Sequence, residues 1–278
     1  MMKILTPPIK IQGKKSKLAE WILSFIPSDF VNNKIYIEPF VGSGVVGFNL
    51  NPKKAIFADI NPHIIRFYKD LQKDIITPNI VKNFLISEGE KLKIKGADYY
   101  YEVRERFNKE PSSLDFIFLN RASFNGVIRF NKRGNFNVPF CKNKDRFSKA
   151  YITKIYNQIN WLYFRIKNND WIFLNEDFRE VLKKADKNNL VYLDPPYIAR
   201  HCDYFNKWND KDEQDLFNLI LTKKFYFILS SWQKNSYREN PYLFKYFEKN
   251  FKIHTRKHFY IVKGKKEKSI YEAVIMNR

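Results

Sequence analysis

The sequence predicts an α/β protein: a doubly wound, mostly parallel sheet with a C-terminal antiparallel hairpin, plus a mainly helical insert bearing a β-hairpin of its own. Three observations carry this. Strand-like apolar runs alternate with helical patterns at both ends of the chain, two of those runs stop on an aspartate, and the alternation lapses between residues 78 and 166. The expected division is residues 1–77 with 167–278 as one domain and residues 78–166 as the insert.

The first strand is Lys34-Ile35-Tyr36-Ile37-Glu38, which runs into Pro39-Phe40-Val41-Gly42-Ser43-Gly44 and then a helical pattern through Val45, Val46, Phe48 and Leu50. Glycines in such a turn let the backbone approach a ligand. The second strand, Ala55-Ile56-Phe57-Ala58, ends on Asp59, and Asn61-Pro62 opens a helix with proline in its first turn. A carboxylate one strand-helix unit beyond a glycine turn is placed to hold the vicinal hydroxyls of a ribose. The turn lacks the Lys-Ser/Thr of a P-loop and the third glycine of the dinucleotide pattern. A nucleoside without a pyrophosphate, such as S-adenosylmethionine, fits it; a purely structural tight turn is the alternative.

In the insert, helical patterns cover residues 99–107, 114–124 and 152–166, and residues 127–140 alternate apolar and polar positions around Lys132-Arg133-Gly134-Asn135, the pattern of a basic hairpin. The strand signal returns at Trp171-Ile172-Phe173-Leu174 and at Leu190-Val191-Tyr192-Leu193, followed by a helix over residues 212–222 and a strand over 225–229. Residues 252–261 and 269–275, around Lys263-Gly264-Lys265-Lys266, read as a hairpin that closes the sheet.

The strand at Leu190 stops on Asp194-Pro195-Pro196-Tyr197. Open α/β sheets bind ligands at the carboxyl ends of their strands, so these residues stand where a catalytic site belongs. A carboxylate and a proline-fixed carbonyl can each accept one hydrogen of an exocyclic amine while a tyrosine ring stacks on the heterocycle that carries it. The alternative is an ordinary strand followed by a proline-rich turn.

Composition narrows the class. The 278 residues carry a formal charge of +21, far beyond what solubility needs, and such an excess is the footprint of phosphate-backbone binding; a general lysine bias is the competing explanation. Local clustering favours a nucleic acid. Arg129, Lys132, Arg133, Lys142, Lys144, Arg146 and Lys149 face a single acid, Asp145, with Phe130, Phe136, Phe140 and Phe147 among them. Cys141 and Cys202 have no ligand-like spacing to the few histidines, so neither a disulfide framework nor a metal site is expected. No apolar run approaches membrane-spanning length, and the expectation is a soluble, cytoplasmic protein.

Together these motifs resemble the Dam-type DNA adenine methyltransferases, in the family's motif order and over nearly the whole chain. Lys10-Ile11-Gln12-Gly13-Lys14-Lys15 is similar to the family's Lys-Trp-x-Gly-Gly-Lys segment, with Ile11 for tryptophan and Lys14 for the second glycine. The resemblance implies S-adenosylmethionine as cofactor, held by Lys10, Ile11, Lys15, Glu38, Phe40, Gly42, Gly44, Asp59, Ile60, Asp177, Phe178 and Asp194. For Asp177 a helix N-cap is an equal alternative. It makes Asp194, Pro195, Pro196 and Tyr197 the catalytic residues, acting on an adenine flipped out of double-stranded DNA.

The segment from Leu119 to Phe140 resembles the family's recognition hairpin, which implies DNA contacts from Asn120, Arg121, Asn125, Val127, Arg129, Asn131, Lys132, Arg133 and Pro139. Arg129 matches the arginine that reads a guanine, with a phosphate contact as its alternative. Val127 and Pro139 match positions with apolar base contacts. The implied site has G beside A, with GATC as first expectation, in a Dam-like or restriction-modification role; in the latter, a cognate endonuclease is a further expected partner. The alternatives are cytosine-N4 or RNA-base methylation, and a DNA-recognition subunit without catalysis.

Overall fold

The computed structural model describes residues 3–197, 208–259, 261–262, 265–266 and 269–277. Its strands are β1 (Ile35–Glu38), β2 (Lys54–Ala58), β3 (Asp170–Leu174), β4 (Asn189–Leu193), β5 (Tyr226–Asn235), β6 (Lys252–His258), β7 (Ile261–Val262), β8 (Lys265–Lys266) and β9 (Ile270–Met276). Seven of them form one sheet in the order β3-β2-β1-β4-β5-β9-β6. β1 to β5 pair in parallel, and β9 lies antiparallel to both β5 and β6. The expected closing hairpin is therefore β6 with β9, while Lys263 and Gly264 lie outside the described residues.

The sheet is covered on both faces, and the period-two rule of a strand sorts its side chains between them. Tyr36, Leu190 and Tyr192 join one buried cluster; Ile37, Val191 and Leu193 join the other. β4 is buried along its whole length, which is why it reads in sequence as a continuous apolar run. The first face takes helix Pro62–Gln72 through Ile64, Phe67, Tyr68 and Leu71, and the second takes helix Asp210–Thr222 through Leu216 and Ile220.

The region expected as an insert contains the helices Pro78–Lys95, Ala97–Lys109, Ser113–Ala122 and Lys149–Asn168. Its core is continuous with that of the sheet: Phe116, Ile155 and Ile159 belong to the same buried cluster as Tyr36 and Phe57. Helix Pro78–Lys95 has no counterpart in the sequence reading. Its inner face is Val81, Leu85, Glu88 and Leu92, at helical spacing, but the exposed Ile80, Ile86 and Ile94 blur the period. The terminal signals were nevertheless present: Thr77 accepts the Ile80 N–H, Pro78 occupies the first turn, and Gly96 follows the last residue.

The basic hairpin forms a chain reversal but not two regular strands. Phe130 and Phe136 form one isolated bridge, Ser123 and Phe140 another, and the Gly134 N–H donates to the Asn131 carbonyl at 2.9 Å across the turn. Asn108, from a helix, takes the place of a ladder partner. Its side chain accepts the Phe136 N–H at 2.8 Å and donates to the Phe136 carbonyl at 3.2 Å. Phe136, Phe140 and Phe147 are buried, so these aromatics pack in the core.

Gly47 marks the closest approach of helix Val45–Leu50 to β1. A Cβ there would lie 2.4 Å from Glu38 Oε2 and 2.5 Å from the Phe57 ring. Glycine to alanine inside a helix ordinarily stabilises by about 1 kcal/mol, whereas overpacking costs about 1–3 kcal/mol. Gly47→Ala is expected to lower the free energy of urea unfolding; an unchanged or raised midpoint would show that the helix can draw back from the strand.

Candidate active site

A cavity of about 520 Å³ opens at the carboxyl ends of β1, β2 and β4, and its lining includes Phe40, Gly42, Asp59, Phe178 and Asp194. The strand order reverses between β1 and β4 at this point, the crevice where open α/β sheets take their ligands.

The glycine turn after β1 is fixed from three sides. The Gly42 N–H donates to Asp59 Oδ2 at 2.8 Å, the Tyr68 hydroxyl donates to the Gly42 carbonyl at 2.8 Å, and the Val41 N–H donates to the Ala58 carbonyl at 2.8 Å. Gly42 and Gly44 have φ of 45° and 66°, and a Cβ on Gly44 would sit 2.2 Å from the Phe48 ring, so the turn is restricted to glycine there. Asp59 Oδ1 accepts the Asn61 N–H at 2.8 Å. Each Asp59 oxygen thus holds one backbone donor and keeps acceptor capacity for a second. Burial pushes the Asp59 carboxyl up to about 6, against the opposing pull of the Asn61 and Gly42 N–H groups. Glu38 is also buried and raised; its Oε2 accepts from the Tyr36 hydroxyl at 2.9 Å and the Gly47 N–H at 3.1 Å.

The other corner follows β4. Lys15, itself 5% exposed, places Nζ 2.7 Å from Asp194 Oδ1 and 4.6 Å from the centre of the Tyr197 ring. Burial raises the Asp194 carboxyl and Lys15 opposes the shift. The Tyr197 hydroxyl donates to Glu272 Oε2 at 2.8 Å, which ties the tyrosine to β9. Pro196 borders the cavity, Pro195 is buried beside it, and Tyr192 hydrogen-bonds Ser230 at 2.8 Å in the layer beneath. Glu272 is absent from the sequence reading, although a lone acid in the apolar run Ile270-Tyr271-Glu272-Ala273-Val274-Ile275 was a signal that could have found it.

On the far wall, Phe40, Asp177 and Phe178 were named in the sequence reading, whereas Trp208, Arg179, Asp212 and Asp215 were not. Phe40, Phe178 and Trp208 form an aromatic group, with Phe178 centred 5.3 Å from each of the other two. Arg179 donates to Asp215 at 2.7 Å and Asp212 at 2.5 Å and pairs with Asp177 at 3.2 Å. Asp177 both caps helix Phe178–Lys183, accepting the Arg179 N–H at 2.9 Å, and lines the cavity.

A family model described as D12 class N6 adenine-specific DNA methyltransferase matches residues 12–262. The chain belongs to this family. It is 33% identical to Type II methyltransferase M.MjaIII of Methanocaldococcus jannaschii over 98% of each chain. It is also 36% identical to the DNA adenine methylase of Haemophilus influenzae, over 69% of this chain and 63% of that one, and 33% identical to that of Serratia marcescens over 76% of each.

Within this adenine-specific DNA methyltransferase, the expected cofactor residues Ile11, Lys15, Glu38, Phe40, Gly42, Asp59, Ile60, Asp177, Phe178 and Asp194 all line the one cavity. Gly44 shapes its turn from outside the lining, and Lys10 points elsewhere, towards Tyr151. The recognition segment reaches the cavity through Ile128. Asn125, Asn131, Lys132, Arg133 and Pro139 are exposed, while Val127 and Arg129 are half-buried. Arg129 donates to the Asn137 side chain at 2.8 Å and to its carbonyl at 3.3 Å.

Asn120 and Arg121 are a correction to the sequence reading. Both are buried: Asn120 clamps the Lys10 backbone, and Arg121 bonds the Pro8 carbonyl and Gln158. Their side chains hold the fold rather than face a duplex. Among the described residues no helix is long and apolar enough to cross a membrane, no group of His, Cys, Asp and Glu could hold a metal ion, and Cys141 is free; Cys202 lies outside them.

The raised Asp59 carboxyl has a stability consequence. Its contribution is fully present below the unfolded value near 3.8 and is lost as pH rises through about 6. The stability of Asp59→Asn relative to the parent is expected to improve as pH is raised from about 5 to about 7 in urea unfolding. A difference that does not change with pH would place the Asp59 titration in the ordinary range.

Proposed function

We propose that this chain methylates the exocyclic amine of an adenine turned out of duplex DNA, with S-adenosylmethionine as methyl donor. The observation that carries it is that Asp59 and Asp194 face one cavity of about 520 Å³, in the size range of small-molecule sites, at the switch point of the sheet. The residues present fit the donor. Asp59 has acceptor capacity left for ribose hydroxyls, the left-handed glycine turn leaves backbone room, and Phe40, Phe178 and Trp208 offer apolar surface to a purine. When bound, the donor supplies a methyl group on a sulfonium leaving group.

The chain's own part is alignment. Asp194 and the Pro195 carbonyl accept the two amine hydrogens, which turns the nitrogen lone pair towards the methyl group. Tyr197 stacks on the base, and its bond to Glu272 anchors the hydroxyl end of the ring. Lys15 balances Asp194 while no amine is present. After transfer the methylated nitrogen is cationic and gives up its extra proton through Asp194 to solvent, so Asp194 acts first as an orienting acceptor and need not be a strong base beforehand. In the hairpin, Arg129 reads a guanine through its N7 and O6, with Val127 and Pro139 against neighbouring bases. The end-to-end likeness to a Type II methyltransferase supports a modification role, in which a cognate endonuclease would share the site.

Asp194→Ala is expected to abolish transfer of labelled methyl to adenine while duplex binding and the melting temperature are largely kept. Joint loss of folding and binding would instead make Asp194 a structural residue. Arg129→Ala is expected to relax specificity at one guanine by about 1–3 kcal/mol, measured on a panel of single-base site variants. A uniform loss across the panel would identify a phosphate contact.

A further inference from the structure

Beside the N-terminal segment, three cations crowd around one phenol. Arg146 donates to the Tyr151 hydroxyl at 2.7 Å and lies over its ring at 4.3 Å, Arg121 donates to the same oxygen at 3.4 Å, and Lys10 Nζ stands 5.9 Å from the ring centre. Lys14 lies within the field of Arg121, Lys10 and Lys154. The strongest charges acting on Lys10, Lys14, Arg121 and Tyr151 come from one another and from Arg146 and Lys154. Burial and this mutual repulsion push the Lys10 and Lys14 ammonium groups down, and the cations outweigh burial in drawing the Tyr151 phenol down.

The cluster is built rather than scattered. The Lys10 backbone is held by the Asn120 side chain, which accepts its N–H at 2.9 Å and donates to its carbonyl at 2.7 Å. The Lys10 stem packs over Gly126, where a Cβ would come within 2.5 Å of Lys10 Cδ. Arg146 Nε donates to the Arg121 carbonyl at 2.7 Å. Arg121, 2% exposed, keeps a buried Nε with no acceptor among the described residues. A fold that fixes like charges side by side is preorganised for an anion.

We propose that Lys10, Lys14, Arg146 and Lys154, on a base of buried Arg121 and half-buried Tyr151, form a seat for a backbone phosphate of the duplex, beside the recognition hairpin. The proposal rests on the reading of this chain as acting on duplex DNA. The rival anion is the carboxylate of the methyl donor, since Lys14 also lines the cavity. Lys10, Arg121, Arg146, Tyr151 and Lys154 are absent from that lining.

The test uses the full chain with Lys10→Gln and Lys154→Gln, singly and together. Each leaves the backbone clamp on residue 10 and the helix Lys149–Asn168 in place. Affinity for a duplex that the parent methylates and for one that it does not is measured against salt, together with S-adenosylmethionine affinity by calorimetry and the melting temperature of the free protein. Each substitution is expected to weaken both duplexes alike, and the double variant to make the slope of log K on log salt shallower by up to about 0.9. Donor affinity stays at the parent value, and the melting temperature holds or rises as repulsion is relieved. An unchanged slope overturns the proposal. So does lost donor affinity with intact duplex binding, which would give the seat to the donor's carboxylate, or a fall in melting temperature, which would reveal an anionic partner within the fold. A parent that binds duplex and methylates adenine while the variants keep its salt slope overturns the seat alone; a parent that transfers no methyl to adenine overturns the functional reading beneath it.

Discussion

Neighbouring parallel strands that end level with one another bring their terminal side chains into one crevice, and here three of those ends carry Glu38, Asp59 and Asp194. Burial opposes ionisation of all three, so each needs its own compensation. Much of the local structure follows from how that is met. Glu38 is answered by the Tyr36 hydroxyl and the Gly47 N–H, which requires the helix after the glycine turn to press against β1. Asp59 is answered by two backbone N–H groups, which fixes the turn itself. Asp194 alone is answered by a side-chain cation. Its environment is therefore the one that a substrate amine can change without breaking the backbone.

That dependence makes the N-terminal segment part of the Asp194 corner. Lys15 reaches Asp194 because the chain before it is pinned, through Pro8 and Lys10, to the buried Arg121 and Asn120 of helix Ser113–Ala122. The same helix leads directly into the recognition hairpin. The hairpin is in turn held to the cofactor side by His63, which stacks at 4.9 Å on Phe130 from the helix that Asn61 caps. Recognition segment, N-terminal segment and strand ends thus share one buried cluster, and a displacement at any of them is felt by the other two.

The parts of this arrangement legible in sequence are those encoded by neighbours along the chain. β1, β2 and β4 announce themselves by apolar runs, and their terminal residues Glu38, Asp59 and Asp194 come with turn signals attached. Long-range pairings were not legible. Arg179 meets Asp212 and Asp215 across more than thirty residues, and Glu272 meets Tyr197 across 75; nothing local to any of these residues records its partner. Polarity misled where burial was satisfied from afar, as at Asn120, whose amide looked like a DNA contact but bonds the backbone of Lys10. Apolarity misled in the opposite sense at Ile80, Ile86 and Ile94, exposed residues that concealed a helix.

The position of β9 governs when the molecule can be completed. β9 is built from Ile270–Met276, yet it lies inside the sheet, between β5 and β6, and it anchors Tyr197 through Glu272. Among the described residues, β9 is the one strand that β6 pairs with. A nascent chain made only as far as β6 therefore holds a strand without a neighbour, a sheet whose β5 edge is bare, and a tyrosine without its acceptor. Assembly of the Asp194 corner must wait until β9 has been made, and until then the exposed edges are surfaces on which the growing chain can pair wrongly.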